Sequence, residues 1–184
     1  MDDSLSKRGR SLEEMFFKER DAQLIEQRRQ LEQLKKDADA LAAVSGIKNP
    51  QILEKMVGMG VSLSTMASLA VLPLVEVAWA DGQLSEKEKE AVLAGAAHNG
   101  IAAGSMDYGI LESWLKERPQ PQLLEAWMYY IAGLKEVLSP KEMDELRTDL
   151  LNKAKKVAQA TGGLFSKISS EEQAVLKKME SVFI

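Results

Sequence analysis

Hydrophobic residues recur at helical spacing along almost the whole chain, whereas the alternating apolar and polar pattern of strands is hard to find. Good helix formers such as Ala, Leu, Glu, Lys, Gln and Met dominate. The pattern predicts an all-α fold, a compact multi-helix bundle around a buried apolar helix with a long N-terminal helical extension. We divide the chain into residues 1–44 (a long helix), 45–61 (a short helical connector) and 62–184 (a helical domain).

The first predicted helix runs from about Ser11, which heads a Ser-x-x-Glu capping box, to Val44. Its apolar residues form a sevenfold series with a partial second seam: Phe17, Leu24, Leu31 and Ala38, with Leu34 and Leu41 beside them. Arg20 and Gln27 interrupt that second seam in its first half. The pattern is typical of a coiled coil with a second copy or a partner. It fits equally a helix that packs back on its own body.

The connector contains a short predicted helix, PQILEKMV, bounded by Asn49-Pro50 and Gly58. We expect it to be bent rather than loose, because its apolar residues need burial: Ile52, Leu53, Met56 and Val57. The next segment, Val61 to Ala80, is apolar nearly all round and long enough to cross a membrane. Pro73, Glu76 and four hydroxyl residues disfavour lipid, so the segment predicts the buried centre of a bundle and no membrane span.

Five further helices are predicted between ordinary start and stop signals. They cover Ser85–His98, Ser105–Glu117, Pro121–Val137, Pro140–Ala160 and Ser169–Phe183. Three of them begin with a Ser-x-x-Glu capping box, headed by Ser85, Ser139 and Ser169.

Composition and charge exclude several kinds of site and partner. The chain has no cysteine, which excludes disulfides, thiolate metal sites and thiol catalysis, and its charged start lacks the apolar core of a signal peptide. The absence of cysteine also suits a reducing compartment. The net charge is −4 and basic residues are not concentrated in either half, so a nucleic-acid partner is not expected.

One stretch, WADGQLSEKEKEAVL, carries the main candidate chemistry. Asp81, Gly82 and Glu88 match the fifth, sixth and twelfth positions of a calcium loop. Val77 and Trp79 fall on the first and third positions, where neither side chain offers an oxygen. A calcium ion needs six or more oxygens, so this half-loop requires carboxylates from elsewhere.

The most suitable additional donors are Glu76 and Glu172, which completes a predicted divalent-cation site with Asp81 and Glu88. The competing interpretation is purely structural. Asp81 can accept backbone N–H groups within a turn, and Ser85 with Glu88 can form a capping box.

No catalytic group stands out. Paired carboxylates are plentiful, but no spacing singles out an acid and a base. His98 is the only histidine and has no signalled nucleophile. We therefore predict that the protein is not an enzyme.

The same stretch resembles the signature of TerB-like tellurite-resistance domains, in which an apolar helix ends in Ala-Asp-Gly and a Ser-x-x-Glu helix follows. The matching residues are Ala80-Asp81-Gly82, Leu84-Ser85 and Glu88. A second, degenerate copy is matched by Lys167 to Glu172, where the Asp-Gly pair is missing. The resemblance covers roughly residues 62–184.

This resemblance implies an all-helical, cytoplasmic, non-enzymatic module associated with stress and tellurite resistance. It also implies divalent-cation binding through Asp81 and Glu88, with Glu76 and Glu172 as looser additions. The N-terminal extension resembles the small inhibitory zeta subunit of some bacterial ATP synthases, on the spacing of Glu14 and Phe17. The alternative function is an interaction protein that self-associates or docks a protein partner through its first helix.

Overall fold

The computed structural model describes the backbone of residues 3–160 and 168–184, and the side chains of the same residues from Lys18 onward. Within these ranges the chain forms eight α-helices and one short 3₁₀ turn, with no strand. The predicted all-α bundle is confirmed.

The helices follow one another in chain order. They are α1 (Asp3–Ser45), α2 (Pro50–Gly58), α3 (Met66–Ala78), α4 (Glu86–His98), α5 (Met106–Lys116), α6 (Pro121–Lys135), α7 (Pro140–Ala158) and α8 (Ser170–Val182). The 3₁₀ turn, Leu63–Thr65, leads into α3.

The centre of the bundle is α3, which packs against α4, α5, α6, α7 and α8. Eleven of its 13 residues are buried, and Pro73 lies inside it. Because α3 is apolar on nearly every face, each neighbouring helix can bury an apolar stripe against it. The predicted buried helix is therefore confirmed, although its first residues form the 3₁₀ turn rather than α-helix.

No single helix in the described residues has the length and apolar character needed to cross a membrane. The segments Pro50–Gly58 and Leu63–Ala78 meet that requirement only as a pair, and they are bent by 81° relative to each other.

The hydrophobic core extends beyond α3 into the connector and the end of α1. Leu41 is buried there. Of the four connector residues expected to need burial, Leu53 and Met56 are buried, while Ile52 and Val57 are half-buried. Ile47 lies so close to Gly133 of α6 that a Cβ at Gly133 would stand 2.6 Å from the Cδ1 atom of Ile47. This contact joins the connector to the body of the bundle.

The middle of α1, residues 18–33, differs from this packed end. The helix begins at Asp3, so the predicted start at Ser11 is wrong, and Ser11 lies within the helix. Every side chain from residue 18 to residue 33 is exposed, including Leu24 (51%) and Leu31 (66%). We call residues 18–33 the exposed arm. The side chain of Phe17, the first member of the predicted sevenfold series, lies outside the described residues.

The three later capping boxes are all present, at Ser85, Ser139 and Ser169. In each, the serine hydroxyl accepts the N–H of the glutamate three residues on, and that glutamate accepts the N–H of the serine. These boxes fix where α4, α7 and α8 begin.

Candidate functional site

The Asp-Gly stretch forms a tight turn between α3 and α4. Gly82 adopts φ of +81°, a left-handed conformation that glycine tolerates best. The Oδ1 atom of Asp81 accepts the backbone N–H of Gln83 at 2.9 Å, which closes a local turn. Asp81 is exposed, and this hydrogen bond is one that a turn aspartate makes without any metal.

Glu88 is buried at the start of α4, where only 4% of it is exposed. Its Oε2 atom accepts the backbone N–H of Ser85 at 2.8 Å and the Ser85 hydroxyl at 2.7 Å. Ser85 Oγ accepts the N–H of Glu88 in return, at 3.2 Å. The carboxylate is thus held as part of a helix cap.

Glu76 is the one charged residue of α3, and it is 5% exposed. Its Oε2 atom accepts from the guanidinium of Arg118 at 3.1 Å. Arg118 follows α5, and the indole N–H of Trp79 donates to the carbonyl of Trp114 at 2.9 Å, which fixes the end of α3 against α5. A buried carboxylate is stabilised mainly by such a cation.

Glu172, also buried, accepts the backbone N–H of Ser169 at 2.6 Å in the cap of α8. Lys167, at the start of the second motif copy, lies outside the described residues. Each of the four candidate ligands therefore already has a structural role: Asp81 in a turn, Glu88 and Glu172 in helix caps, and Glu76 in an ion pair.

The structure does not bring the four carboxylates together as a cation site. In the part of the chain that the structure describes, no three or more His, Cys, Asp or Glu side chains are grouped so that they could hold a metal ion. Asp81, Glu88 and Glu172 serve turns and caps, as the competing interpretation of the motif predicts, and Glu76 pairs with Arg118. The sequence interpretation missed Arg118, although a lone Glu in an apolar helix signals that a cation must come from elsewhere.

A second feature of functional interest is a continuous stripe on α1. Residues spaced three or four apart lie on one face of a helix. The residues at that spacing, through the exposed arm and just beyond its end, alternate cation and leucine: Arg20, Leu24, Arg28, Leu31 and Lys35. We call them the Arg–Leu stripe, and all five are exposed.

The opposite face of the arm is polar and acidic. It carries Glu19, Glu26, Gln30, Gln33 and Asp37. Gln30 donates to Glu26 at 3.3 Å, and Gln33 donates to Asp37 at 2.9 Å. These bonds between successive helical turns are typical of a solvated face. By contrast, the three cations of the Arg–Leu stripe form no ion pair with any carboxylate among the described side chains.

Comparisons of the chain with protein-family models, with curated proteins and with solved structures give no match. The resemblance to TerB-like domains rests on the motif residues alone and stays a prediction.

Proposed function

We propose that this protein is a non-enzymatic interaction module that docks a protein partner through the Arg–Leu stripe of α1. The observation that carries the proposal is the exposure of Leu24 and Leu31. The sequence left open whether this sevenfold series packs on the body or faces outward. Of the members of the series whose side chains the structure describes, only Ala38 is buried in the bundle, so Leu24 and Leu31 are left for a partner.

The free energy available for docking can be estimated from the apolar surface that a partner would cover. Covering a leucine side chain that is otherwise exposed contributes about 1.5–3 kcal/mol at most. Leu24 and Leu31 already have part of their surface covered by α1 itself, so each offers somewhat less. Two such residues on one face provide anchors for a helix laid alongside the arm.

Charge argues against a second copy of this chain as the occupant. In a parallel pair, Arg20 would face Arg20 of the other copy across the seam. In an antiparallel pair that places Leu24 opposite Leu31, Arg20 would face Lys35. Like charges in contact across a seam are destabilising, so either self-pairing is disfavoured.

An acidic partner removes this repulsion. A helix with leucines flanked by glutamates would cover Leu24 and Leu31 and pair with Arg20 and Arg28, which lack carboxylate partners among the described side chains. The cations would then steer association and set its orientation. We therefore propose an acidic amphipathic helix as the surface that the stripe recognises.

The TerB-like motif is compatible with this role, since the resemblance implies a non-catalytic binding module. A function in stress or tellurite resistance is proposed on that resemblance alone. Calcium binding through Asp81 and Glu88 has no support from the geometry, because both carboxylates are used in the turn and the cap.

A defined probe tests the proposal: a synthetic helical peptide with leucines at the seam positions and glutamates beside them. Isothermal titration of the full chain should show binding that weakens as salt rises, because the stripe contributes three cations. The variant Leu24→Gln/Leu31→Gln should bind at least about ten-fold more weakly, the loss expected from about 1.4 kcal/mol. Ile25→Gln is the matched control, since Ile25 is 65% exposed but lies off the stripe.

Sedimentation of the full chain separates the alternatives. If the full chain sediments as a dimer and the Leu24→Gln/Leu31→Gln variant as a monomer, self-pairing is established and the proposal of an acidic partner is overturned. Absence of peptide binding at low salt, or equal binding by the double variant and by Ile25→Gln, would show that the stripe is not a docking surface.

A further inference from the structure

A groove of about 800 Å³ lies between α4 and α7, on the body of the bundle and separate from the exposed arm. Small residues of α4 form its floor: Ala91, Ala94 and Gly95. Gly95 is required by the packing of α4 on α3, because a Cβ there would stand 2.8 Å from the Cδ1 atom of Leu74. The floor is thus apolar and shallow, and the chemistry of the groove comes from its walls.

One wall is built around Lys153 of α7, whose side chain is only 15% exposed. Its ammonium donates to Asn99 Oδ1 at 2.6 Å and to Asp149 Oδ2 at 2.7 Å. The bond to Asn99 connects α7 to the end of α4, while the bond to Asp149 lies within α7, and together they hold the ammonium at the groove. An ammonium has three N–H donors, so one remains for a ligand.

Three further polar side chains at the groove can donate hydrogen bonds to a ligand. His98, Asn152 and Lys156 line it. Across the part of the chain that the structure describes, none of these three side chains forms a hydrogen bond or an ion pair with another residue. Two lysines against one aspartate give the groove a formal charge of +1, in a chain whose net charge is −4.

The end of α4 does not cancel this positive character. Carbonyl groups at a helix C-terminus carry partial negative charge when they are left unbonded. Here the N–H groups of Gly100 and Ile101 donate to Ala97 and Ala96, closing a Schellman motif with Gly100 at φ of +84°. The carbonyls of Ala96 and Ala97 are therefore satisfied within the chain, which reduces the negative character of this helix end.

We propose that this groove binds a small organic anion, with its phosphate or carboxylate group held by Lys153 and Lys156 and its less polar part on the alanine floor. His98 and Asn152 supply further N–H donors at the rim. The volume lies within the range of small-molecule sites, which combine an apolar surface with a few convergent polar groups. This site is independent of the docking function proposed for α1.

Amide NMR shifts of the full chain test the proposal, with phenyl phosphate and benzoate as the anionic probes and phenol as their neutral counterpart. Both anions should shift the amides of residues 94–99 and 149–156 saturably at millimolar concentration, and phenol should not. Benzoate alone or phenyl phosphate alone would identify which anionic group the lysines accept, and either result supports the site.

Four variants test which residues form the site. Lys156→Gln should weaken anion binding about ten-fold, the effect of one charge-assisted hydrogen bond, while Lys156→Arg keeps it. Lys141→Gln, at an exposed position of α7 outside the groove, is the control for a general loss of charge. Ala94→Leu should block the floor from an exposed position without disturbing the core.

The proposal is overturned if neither anion shifts the groove amides, or if phenol shifts them equally. It is also overturned if Lys141→Gln weakens binding as much as Lys156→Gln does. The amides of α3 report whether each variant keeps the native fold, so a loss of binding with unchanged α3 shifts is specific to the groove.

Discussion

The exposed arm and α3 are both regular helices, yet they have opposite relations to solvent. In α3, eleven of 13 residues are buried, while every side chain of residues 18–33 is exposed. Each region also contains residues whose polarity is opposite to that of the residues around them. The apolar α3 contains Glu76, and the charged arm contains Leu24 and Leu31.

The two cases differ in whether these residues have a partner within the chain. Glu76 finds its cation inside the same chain, in Arg118. Leu24 and Leu31 find no apolar neighbour in the described bundle, and 51% and 66% of their surfaces remain exposed. A buried charge with an internal partner indicates a structural role, whereas apolar residues that share one exposed helix face form the kind of surface that binds another molecule.

The largest change in the free energy of unfolding is expected from shortening a buried side chain at the centre of α3. Leu72→Ala removes a completely buried side chain and should lower the free energy of unfolding by about 2–5 kcal/mol. Leu31→Ala, in the arm, should change it by less than about 0.5 kcal/mol. Urea denaturation of both variants measures the contrast. Comparable losses would mean that the arm packs on the bundle after all.

Removal of the cation beside Glu76 should have the next largest effect. Arg118→Met leaves the Glu76 carboxylate buried without its ion pair, which costs about 1–2 kcal/mol. This lies below the figure for a fully buried pair because Arg118 is 50% exposed and water can approach.

Thermal unfolding of Glu76→Gln, Arg118→Met and the double variant provides the corresponding cycle. The double variant should recover part of the stability that Arg118→Met loses. Purely additive losses would show that the two side chains do not interact.

A matched glycine pair tests the junction between the connector and the body. Gly133→Ala should destabilise the fold by about 1 kcal/mol, because the new methyl group would meet three atoms of Ile47 within 2.9 Å. Gly109→Ala, in α5, meets nothing within 4 Å and should stabilise by about 0.5–1 kcal/mol through helix propensity. Chemical denaturation distinguishes the two, and a stabilising Gly133→Ala would show that Ile47 moves aside easily.

The smallest effect concerns an exposed helix start rather than the core or the arm. Hydrogen bonds from the Ser139 side chain and backbone lower the pKa of the exposed Glu142. Its stabilising contribution is therefore present at neutral pH and is lost as pH falls below the usual glutamate range through the lowered pKa. Glu142→Gln should slightly reduce the melting temperature at pH 7 and flatten its decline on acidification. An unchanged acid profile would contradict this role.

Much of the fold follows from local chemistry and was predictable. Helix starts at Ser85, Ser139 and Ser169 are set by side chains three residues away, so a short window of sequence suffices. The burial of α3 follows equally from its own composition. The start of α1 was missed because Ser11 lies in a segment whose helix simply continues through it.

The candidate sites depend on contacts between distant residues, which the sequence pattern does not contain. Glu76 meets Arg118 across 42 positions, and Lys153 meets Asn99 across 54. The sequence identified Asp81 and Glu88 as members of a motif with a defined local structure. The same residues, however, suit both a calcium loop and a capped turn. Only their hydrogen-bond partners distinguish the two.

The unbroken course of α1 through 43 residues has a geometric consequence. At 1.5 Å per residue the helix is about 65 Å long, and it enters the core at Ala38 without a hinge. The direction in which the stripe faces, relative to the bundle, is therefore set by the number of residues between the stripe and the buried end of α1. Inserting one residue after Lys36 would swing the stripe by about 100°, whereas inserting seven would return it nearly to its original bearing, about 10 Å farther out.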